Sequence, residues 1–152
     1  MGDFLRVGYD DSSAIAFLDG LVEASNVAVR PAAQAGAQIL YDEARIRCPV
    51  SADAHFFYGT SYKKTGQRYF FEPGSLRASI YQVYSVDNSS ETRATYHVAW
   101  NHQKVPYGFM VEFGTSRAPA KPFLRPAWES AHIAAIDQAL NTYAQLMSKV
   151  LQ

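Results

Sequence analysis

Hydrophobic residues at helical spacing predict two helices in the first third of the chain. N-cap residue types at Asp11 to Ser13 precede a helix predicted from about Ser12 to Ala24. Pro31 opens a second predicted helix, which runs to about Arg47 and is stopped by Pro49. Alternatively, Pro31 marks a kink within one long helix. One face of the second helix is rich in alanine and glycine, so another element can approach it closely.

Alternation of apolar and polar residues predicts strands in the middle of the chain. Three strands are expected at Leu76 to Val86, Thr92 to Trp100 and Tyr107 to Phe113. Short polar links between them predict an antiparallel meander with one solvated face. Phe4 to Tyr9 is a candidate for a fourth, edge strand.

A last helix is predicted from about Pro126 to Leu151. Its apolar stripe is expected to pack on the sheet or on the second helix rather than to form an exposed seam for a partner. The stripe consists of Ile133, Ile136, Leu140, Tyr143, Met147 and Val150. These elements predict one α+β domain over residues 1–152, in which two N-terminal helices and a C-terminal helix cover an antiparallel sheet of three or four strands.

Residues 51–73 have the layout of a long hairpin or a protruding loop. Two aromatic triplets, Phe56 to Tyr58 and Tyr69 to Phe71, flank a middle rich in glycine, threonine and lysine. A soluble monomer should not leave so many aromatic rings in water, so they either fold back on the core or meet another subunit. The candidates for such an interface are Phe57, Tyr58, Tyr62, Tyr69 and Phe70. A third interpretation is nucleic-acid binding, with the rings stacking on bases and His55, Lys63, Lys64 and Arg68 contacting phosphates.

Composition and motifs point away from catalysis. The formal net charge is zero, so no overall attraction to nucleic acid or to a membrane is expected. Cys48 is the single cysteine, which excludes an intrachain disulfide. The four histidines show no metal-ligand spacing, and no nucleophile elbow or phosphate-binding loop is present. We therefore expect no catalytic, cofactor or metal site. No apolar run is long enough to span a membrane, which predicts a protein made and used without crossing one.

Residues that favour one particular backbone conformation are most frequent between Val105 and Ser130. Gly114 is placed to turn the chain, Pro122 keeps the following link extended, and Pro126 is suited to a helix start. Glu112 lies on the apolar strand predicted just before this turn. A carboxylate there needs a partner, and the candidates are Arg117 and Arg125. The pair is formed either within the chain or across a subunit boundary, and Arg77 could serve either purpose.

Two groups of motifs resemble a known family. The first comprises Val111 to Thr115, with the sequence Val-Glu-Phe-Gly-Thr, followed by Pro122 to Ala127, with the sequence Pro-Phe-Leu-Arg-Pro-Ala. The second is the Pro49-Val50 pair at a helix end, followed by Gly74 to Ile80, with the sequence Gly-Ser-Leu-Arg-Ala-Ser-Ile. Their order is similar to that in the HK-97-type phage tail-component family of neck and tail-completion proteins. The resemblance covers roughly residues 12–151, but this chain inserts about two dozen residues after Pro49-Val50.

The resemblance implies a structural virion protein at the head–tail junction of a long-tailed phage, made in the bacterial host cytoplasm. Its partners would be copies of itself, arranged in a ring that could be a hexamer, and other neck or tail proteins. DNA contact is possible but not indicated, and the alternative function is a small nucleic-acid-binding module centred on residues 55–71. Besides the hairpin aromatics, the expected subunit-interface residues are Arg77, Glu112, Phe113, Arg117, Phe123 and Arg125. On this view Glu112→Ala impairs assembly more than it destabilises the monomer.

Overall fold

An antiparallel pair of long helices forms the frame of the protein. The structure is a computed structural model that describes residues 8, 10–59 and 62–150. Helix α1 (Ser12–Arg47) packs along α5 (Leu124–Ser148). The hydroxyls of Ser25 and Tyr143 lie 2.7 Å apart at one end of the pair, and the Ser130 hydroxyl donates to Glu43 at the other. Between the two helices the chain forms β1 (His55–Tyr58), α2 (Tyr62–Thr65), β2 (Arg68–Phe71), α3 (Ser75–Ser79), β3 (Ile80–Tyr84), β4 (Tyr96–Trp100) and α4 (Gly108–Phe113).

The fold is α+β, as predicted, but the sheets are smaller than expected. The strands form two separate two-stranded antiparallel sheets, β1 with β2 and β3 with β4. The first is the predicted hairpin within residues 51–73, with His55 opposite Phe71 and Tyr58 opposite Arg68. The three-stranded meander is wrong, because the segment expected as its last strand is helical. Of the proposed edge strand at Phe4 to Tyr9, the structure describes Gly8 alone.

The first two predicted helices are one continuous helix, α1, with Pro31 inside it. Proline removes one backbone hydrogen bond from a helix interior, and packing can compensate for that loss. Here the neighbouring Ala28 and Ala32 are buried. Tertiary contact therefore overrides the break between two helices that Pro31 signals in the sequence. The structure adopts the alternative, a single long helix.

The contact between α1 and α5 depends on small residues. A Cβ added to Gly36 would lie 2.7 Å from the carbonyl oxygen of Ala135 and 3.2 Å from the Cβ of Ala139. The small-residue face predicted for this helix is thus confirmed as a close-approach surface. The expected core stripe of α5 is wrong, because Ile133, Ile136 and Leu140 are more than half exposed. Alanines at 127, 131 and 135 are buried instead.

Helix α4 replaces the aromatic strand predicted at Tyr107 to Phe113. Its six residues place Gly108 and Glu112 on the buried face and Phe109 and Phe113 on the exposed face, as i, i+4 spacing requires. A Cβ at Gly108 would collide with the indole ring of Trp100. On this helix the missing side chain of Gly108 and the carboxylate of Glu112 lie on the same, buried side of the segment.

A compact core lies where α1 ends and α5 begins. Phe123 and Cys48 are its largest fully buried side chains, at 0% and 1% exposure. The other buried members are Ala44, Phe71, Leu76, Ile80, Val105 and Ala127. Residues from both sheets, from α3 and from both long helices thus meet in one core. The elements next to this core carry the helix-capping contacts and the exposed aromatic surfaces.

We predict that Gly114→Ala destabilises the protein more than Gly74→Ala. Both glycines have a positive φ, of 76° and 85°, but an added Cβ meets nothing within 4 Å at Gly74 and lies 2.7 Å from the Ala120 backbone nitrogen at Gly114. Gly74→Ala should cost about 1–2 kcal/mol from backbone strain, and Gly114→Ala at least about 3 kcal/mol. Urea unfolding of both variants measures the difference. Equal losses would show that the clash relaxes without cost.

Candidate interaction site

Glu112 caps the start of α5 from a distance in sequence. Its Oε2 accepts hydrogen bonds from the backbone N–H groups of Phe123 at 2.7 Å and Leu124 at 3.1 Å, and its Oε1 accepts one from Arg125 at 3.1 Å. The first amides of a helix have no partner inside it, and they carry the positive end of the helix dipole. One buried carboxylate therefore satisfies three of these donors.

The arginine pair predicted for Glu112 within the chain is wrong, since among the described residues no arginine forms an ion pair with it. The alternative pair across a subunit boundary stays a prediction. The backbone amides that bind it belong to the same chain, and the residue is only 6% exposed. Arg117 is exposed, and the Arg125 guanidinium lies 5.9 Å from the ring centre of Phe113. Both arginines are thus left at the surface, while Glu112 serves the fold.

Arg77 performs the complementary task at the end of α1. Its guanidinium donates a 2.9 Å hydrogen bond to the carbonyl oxygen of Cys48, the residue that closes α1. A cation is favourable there, because the carbonyl end of a helix is its negative pole. Arg77 lies on α3, so this contact ties α3 and the following sheet to the end of the long helix.

Cys48 is a buried thiol beside this contact. Burial is the main cause that raises its pKa to about 11, while the nearby Arg77 charge lowers it and the Glu112 charge raises it further. The thiol therefore stays protonated and unreactive at neutral pH, since the thiolate is the reactive form. Between the usual pKa of 9.0 and the folded pKa, the unfolded chain has released this proton and the folded chain has not, so stability falls as the pH rises.

The residues expected at a subunit interface thus divide into two groups. Glu112 and Phe123 are buried, and Arg77 is half-buried and bonded within the chain. These three hold the monomer together. Exposed members remain available for contact: Tyr58, Tyr62, Tyr69, Phe70, Phe113, Arg117 and Arg125. Phe57 is partly buried, with its ring 5.9 Å from that of Tyr107.

An exposed aromatic ridge runs from α4 onto the first turns of α5. Phe109 and Phe113 are 59% and 52% exposed, and their ring centres lie 4.6 Å apart. Arg125 approaches the Phe113 ring, and one turn later Trp128 is 57% exposed. Trp128 in turn stacks on His132. Sequence reasoning missed Phe109 and Trp128, and the helical spacing of Phe109 with Phe113 was the signal that could have found the first.

The β1–β2 hairpin has two aromatic faces. Its inner face turns Phe57 and Phe71 toward Tyr107, with ring centres 5.9 Å and 4.8 Å from it. Its outer face exposes the cross-strand pair Phe56 and Phe70, whose ring centres lie 5.2 Å apart. Arg68 lies over Phe56 at 4.6 Å, and Tyr58 packs edge-on against Tyr62. Phe57 and Phe71 therefore fold back on the core, as one interpretation of the sequence predicted. The other four rings are exposed, and their contact with another subunit stays a prediction.

The described residues contain no group of three or more His, Cys, Asp or Glu side chains positioned to hold a metal ion. None of the described helices combines the length and the hydropathy that a membrane span requires. Comparison with protein families, curated proteins and solved structures finds no match to this chain.

We predict that Glu112→Ala lowers the free energy of unfolding by about 2–4 kcal/mol, because three helix-end amides lose their acceptor. Glu112→Gln keeps an acceptor without the charge and should lose about 1 kcal/mol. Arg117→Ala, at an exposed position, is the matched control and should stay within about 0.5 kcal/mol. Urea unfolding of the purified protein measures all three. A Glu112→Ala variant as stable as the control would indicate instead that Glu112 acts at a subunit interface.

Proposed function

We propose that this protein is a structural component of a tailed-phage virion that joins a ring at the head–tail junction. Two lines support the proposal. The motifs around Glu112 and Arg77 resemble those of phage neck and tail-completion proteins, in the same order along the chain. In the fold, Glu112 caps the start of α5 and Arg77 caps the end of α1. The motifs that resemble the family therefore stabilise the two long helices next to the proposed contact surfaces.

The observation that carries the proposal is the exposure of large aromatic side chains on two separate surfaces. Phe109, Phe113 and Trp128 form the ridge, and Phe56 and Phe70 form the outer hairpin face, all between 45% and 59% exposed. Clustered apolar surface of this kind marks sites of protein contact, and aromatic residues are enriched in interfaces. Both surfaces adjoin the core through α4 and the hairpin, so a partner would meet rigid elements.

A ring follows if one surface of each copy meets a different surface of the next, because such heterologous contacts close when the rotation between copies divides a full turn. Six copies would match the sixfold symmetry of phage tails. The action of the protein is then assembly, in which a finished tail and a filled head meet through the ring.

Deletion of the gene from its parent phage or prophage tests this function. We expect electron micrographs of the lysate to show DNA-filled heads beside unattached or abnormal-length tails. The wild-type gene supplied in trans should restore joined particles. A gene carrying Phe109→Ser and Phe113→Ser should fail to do so, although its purified product unfolds within about 1 kcal/mol of wild type, because both rings are exposed.

The control for that variant is Val86→Ser, which changes an apolar residue that is 74% exposed and lies outside the ridge, between β3 and β4. It should complement the deletion fully. Normal infectious particles from the deletion strain would contradict the proposed function, and heads that fail to fill would move the protein to the capsid side.

One feature favours a second candidate, nucleic-acid binding by the hairpin. Exposed Phe56 and Phe70, with Arg68 over Phe56 and Lys63 and Lys64 at the tip, form the kind of aromatic and basic surface on which single strands stack. This candidate predicts salt-sensitive binding to single-stranded DNA that is lost when Lys63, Lys64 and Arg68 become Glu. Fluorescence anisotropy between about 50 and 200 mM salt measures it. Equal, weak signals from wild type and variant would exclude this function.

A further inference from the structure

Helix α1 extends beyond the end of α5 and leaves apolar side chains without a partner. The end of α5 lies beside the segment of α1 from Gly20 to Pro31, where Leu146 contributes to a shared hollow. Every residue of α1 before that segment is exposed. We call the first turns of α1, residues 12–23, the overhang. Its last residues, Gly20 and Glu23, border the hollow at the end of α5. Its exposed apolar side chains are Ile15 at 50%, Phe17 at 55%, Leu18 at 58% and Val22 at 60%.

Three of these side chains form a stripe along one side of the overhang, because Ile15, Leu18 and Val22 follow i, i+3, i+7 spacing. Phe17 lies on a different side of the helix, the side on which Ala24 and Ala28 become progressively buried farther along α1. All four side chains are at least half exposed, and no element in the described part of the chain covers them.

The opposite end of the molecule carries an open apolar groove. It lies between the inner face of the β1–β2 hairpin and α4, and two adjoining hollows of about 280 and 500 Å³ share Phe57 and Met110. Tyr69 lines the first hollow, and Tyr107 and Val111 line the second. We call this feature the hairpin groove.

The overhang and the groove of one copy cannot meet each other. Helix α1 has 36 residues, which at 1.5 Å per residue spans about 54 Å, and the groove adjoins its carboxyl end. Two unpartnered apolar surfaces at opposite ends of a helix can both be covered when the end of one copy meets the start of another. Where each copy meets a new neighbour in the same direction, the contact is heterologous and head-to-tail, as a ring requires.

The charge of the overhang is acidic. Between Ser12 and Val29, α1 carries Asp19 and Glu23 and no lysine or arginine. Glu91, from the turn before β4, lines a hollow together with both of these carboxylates. A partner for the overhang is therefore expected to present positive charge around an apolar surface.

The charge of the hairpin groove is the opposite. From His55 to Phe71 the chain carries Lys63, Lys64 and Arg68 and no aspartate or glutamate. Lys121 lines the larger hollow at the other side of the groove. The two apolar ends thus carry local charges of opposite sign in a chain whose formal net charge is zero. This complementarity favours another copy of the same chain as the occupant of the groove.

We propose that the overhang of one copy lies in the hairpin groove of the next, with Asp19 and Glu23 facing the basic hairpin tip. The proposal rests on the function above, because it names the contact that joins neighbouring subunits of the ring. It gives the insertion of residues 51–73 the role of receiving the neighbouring subunit, and it leaves the aromatic ridge free for other neck or tail proteins.

Disulfide trapping tests the contact, since the only native cysteine is buried and its thiol is protonated at neutral pH. A chain carrying both Leu18→Cys and Met110→Cys should form a ladder of covalent multimers under mild oxidation, read on a non-reducing gel. Each single variant should stay monomeric, because a head-to-tail contact does not bring two identical positions together. Leu18→Cys with Ile133→Cys is the control and should form no ladder, although Ile133, on α5, is more exposed than Met110.

Charge reversal tests the recognition. Asp19→Lys with Glu23→Lys should lower the trapped yield at least about tenfold, and so should Lys63→Glu with Lys64→Glu, because like charges then face each other. All four reversals in one chain should restore the yield to within about threefold. Restoration is the decisive outcome, since a folding defect in either pair could not be repaired by the other.

Trapping is done both in concentrated purified protein and in particles made with the variant gene supplied in trans. Absence of the ladder in both, or dimers from Leu18→Cys alone, would overturn the proposed contact. A ladder that forms equally with the Ile133→Cys control would do the same. The gene deletion measures where the protein acts and the trapping measures which surfaces meet, so either proposal can fail without the other.

Discussion

The fold depends on the contact between the Glu112 carboxylate and the first amides of α5. Burying a carboxylate is costly unless its lone pairs are used, and here three backbone N–H groups use them at the positive end of a helix. The contact fixes where α5 starts and holds α4 beside it, with Gly114 turning the chain between them. Arg77 makes the mirror-image contact at the end of α1. The two long helices are thus anchored at neighbouring ends of the core.

Close packing of α1 on α5 explains why so much apolar surface is exposed. The two helices meet through Gly36 and alanines, which bring the backbones together but leave no room for larger side chains. Ile133, Ile136 and Leu140 therefore lie outside the contact, and the overhang extends past the end of its neighbour. A small core of this kind leaves large hydrophobic residues exposed, which supports the proposal that the protein acts by assembly.

Sequence patterns predicted the α+β class, the hairpin at residues 51–73 and the last helix to within a few residues. They failed at α4, because apolar residues at every second position fit a strand, while the same spacing also places Phe109 and Phe113 on one helix face. They failed for the partner of Glu112, because its donors are backbone amides 11 to 13 residues later. One signal was present, since Phe123 is a poor N-cap and a helix that starts there needs an acceptor from elsewhere.

Native-state hydrogen exchange at the start of α5 tests most directly whether Glu112 fastens the monomer. In the purified monomeric protein, the amide protons of Phe123, Leu124 and Arg125 should exchange about as slowly as amides in the middle of α5, because all three are bonded to the carboxylate. Glu112→Ala should remove that protection before the rest of the helix loses its own. First-turn amides that exchange rapidly in the wild-type monomer would contradict this account and would leave Glu112 free to bind another subunit.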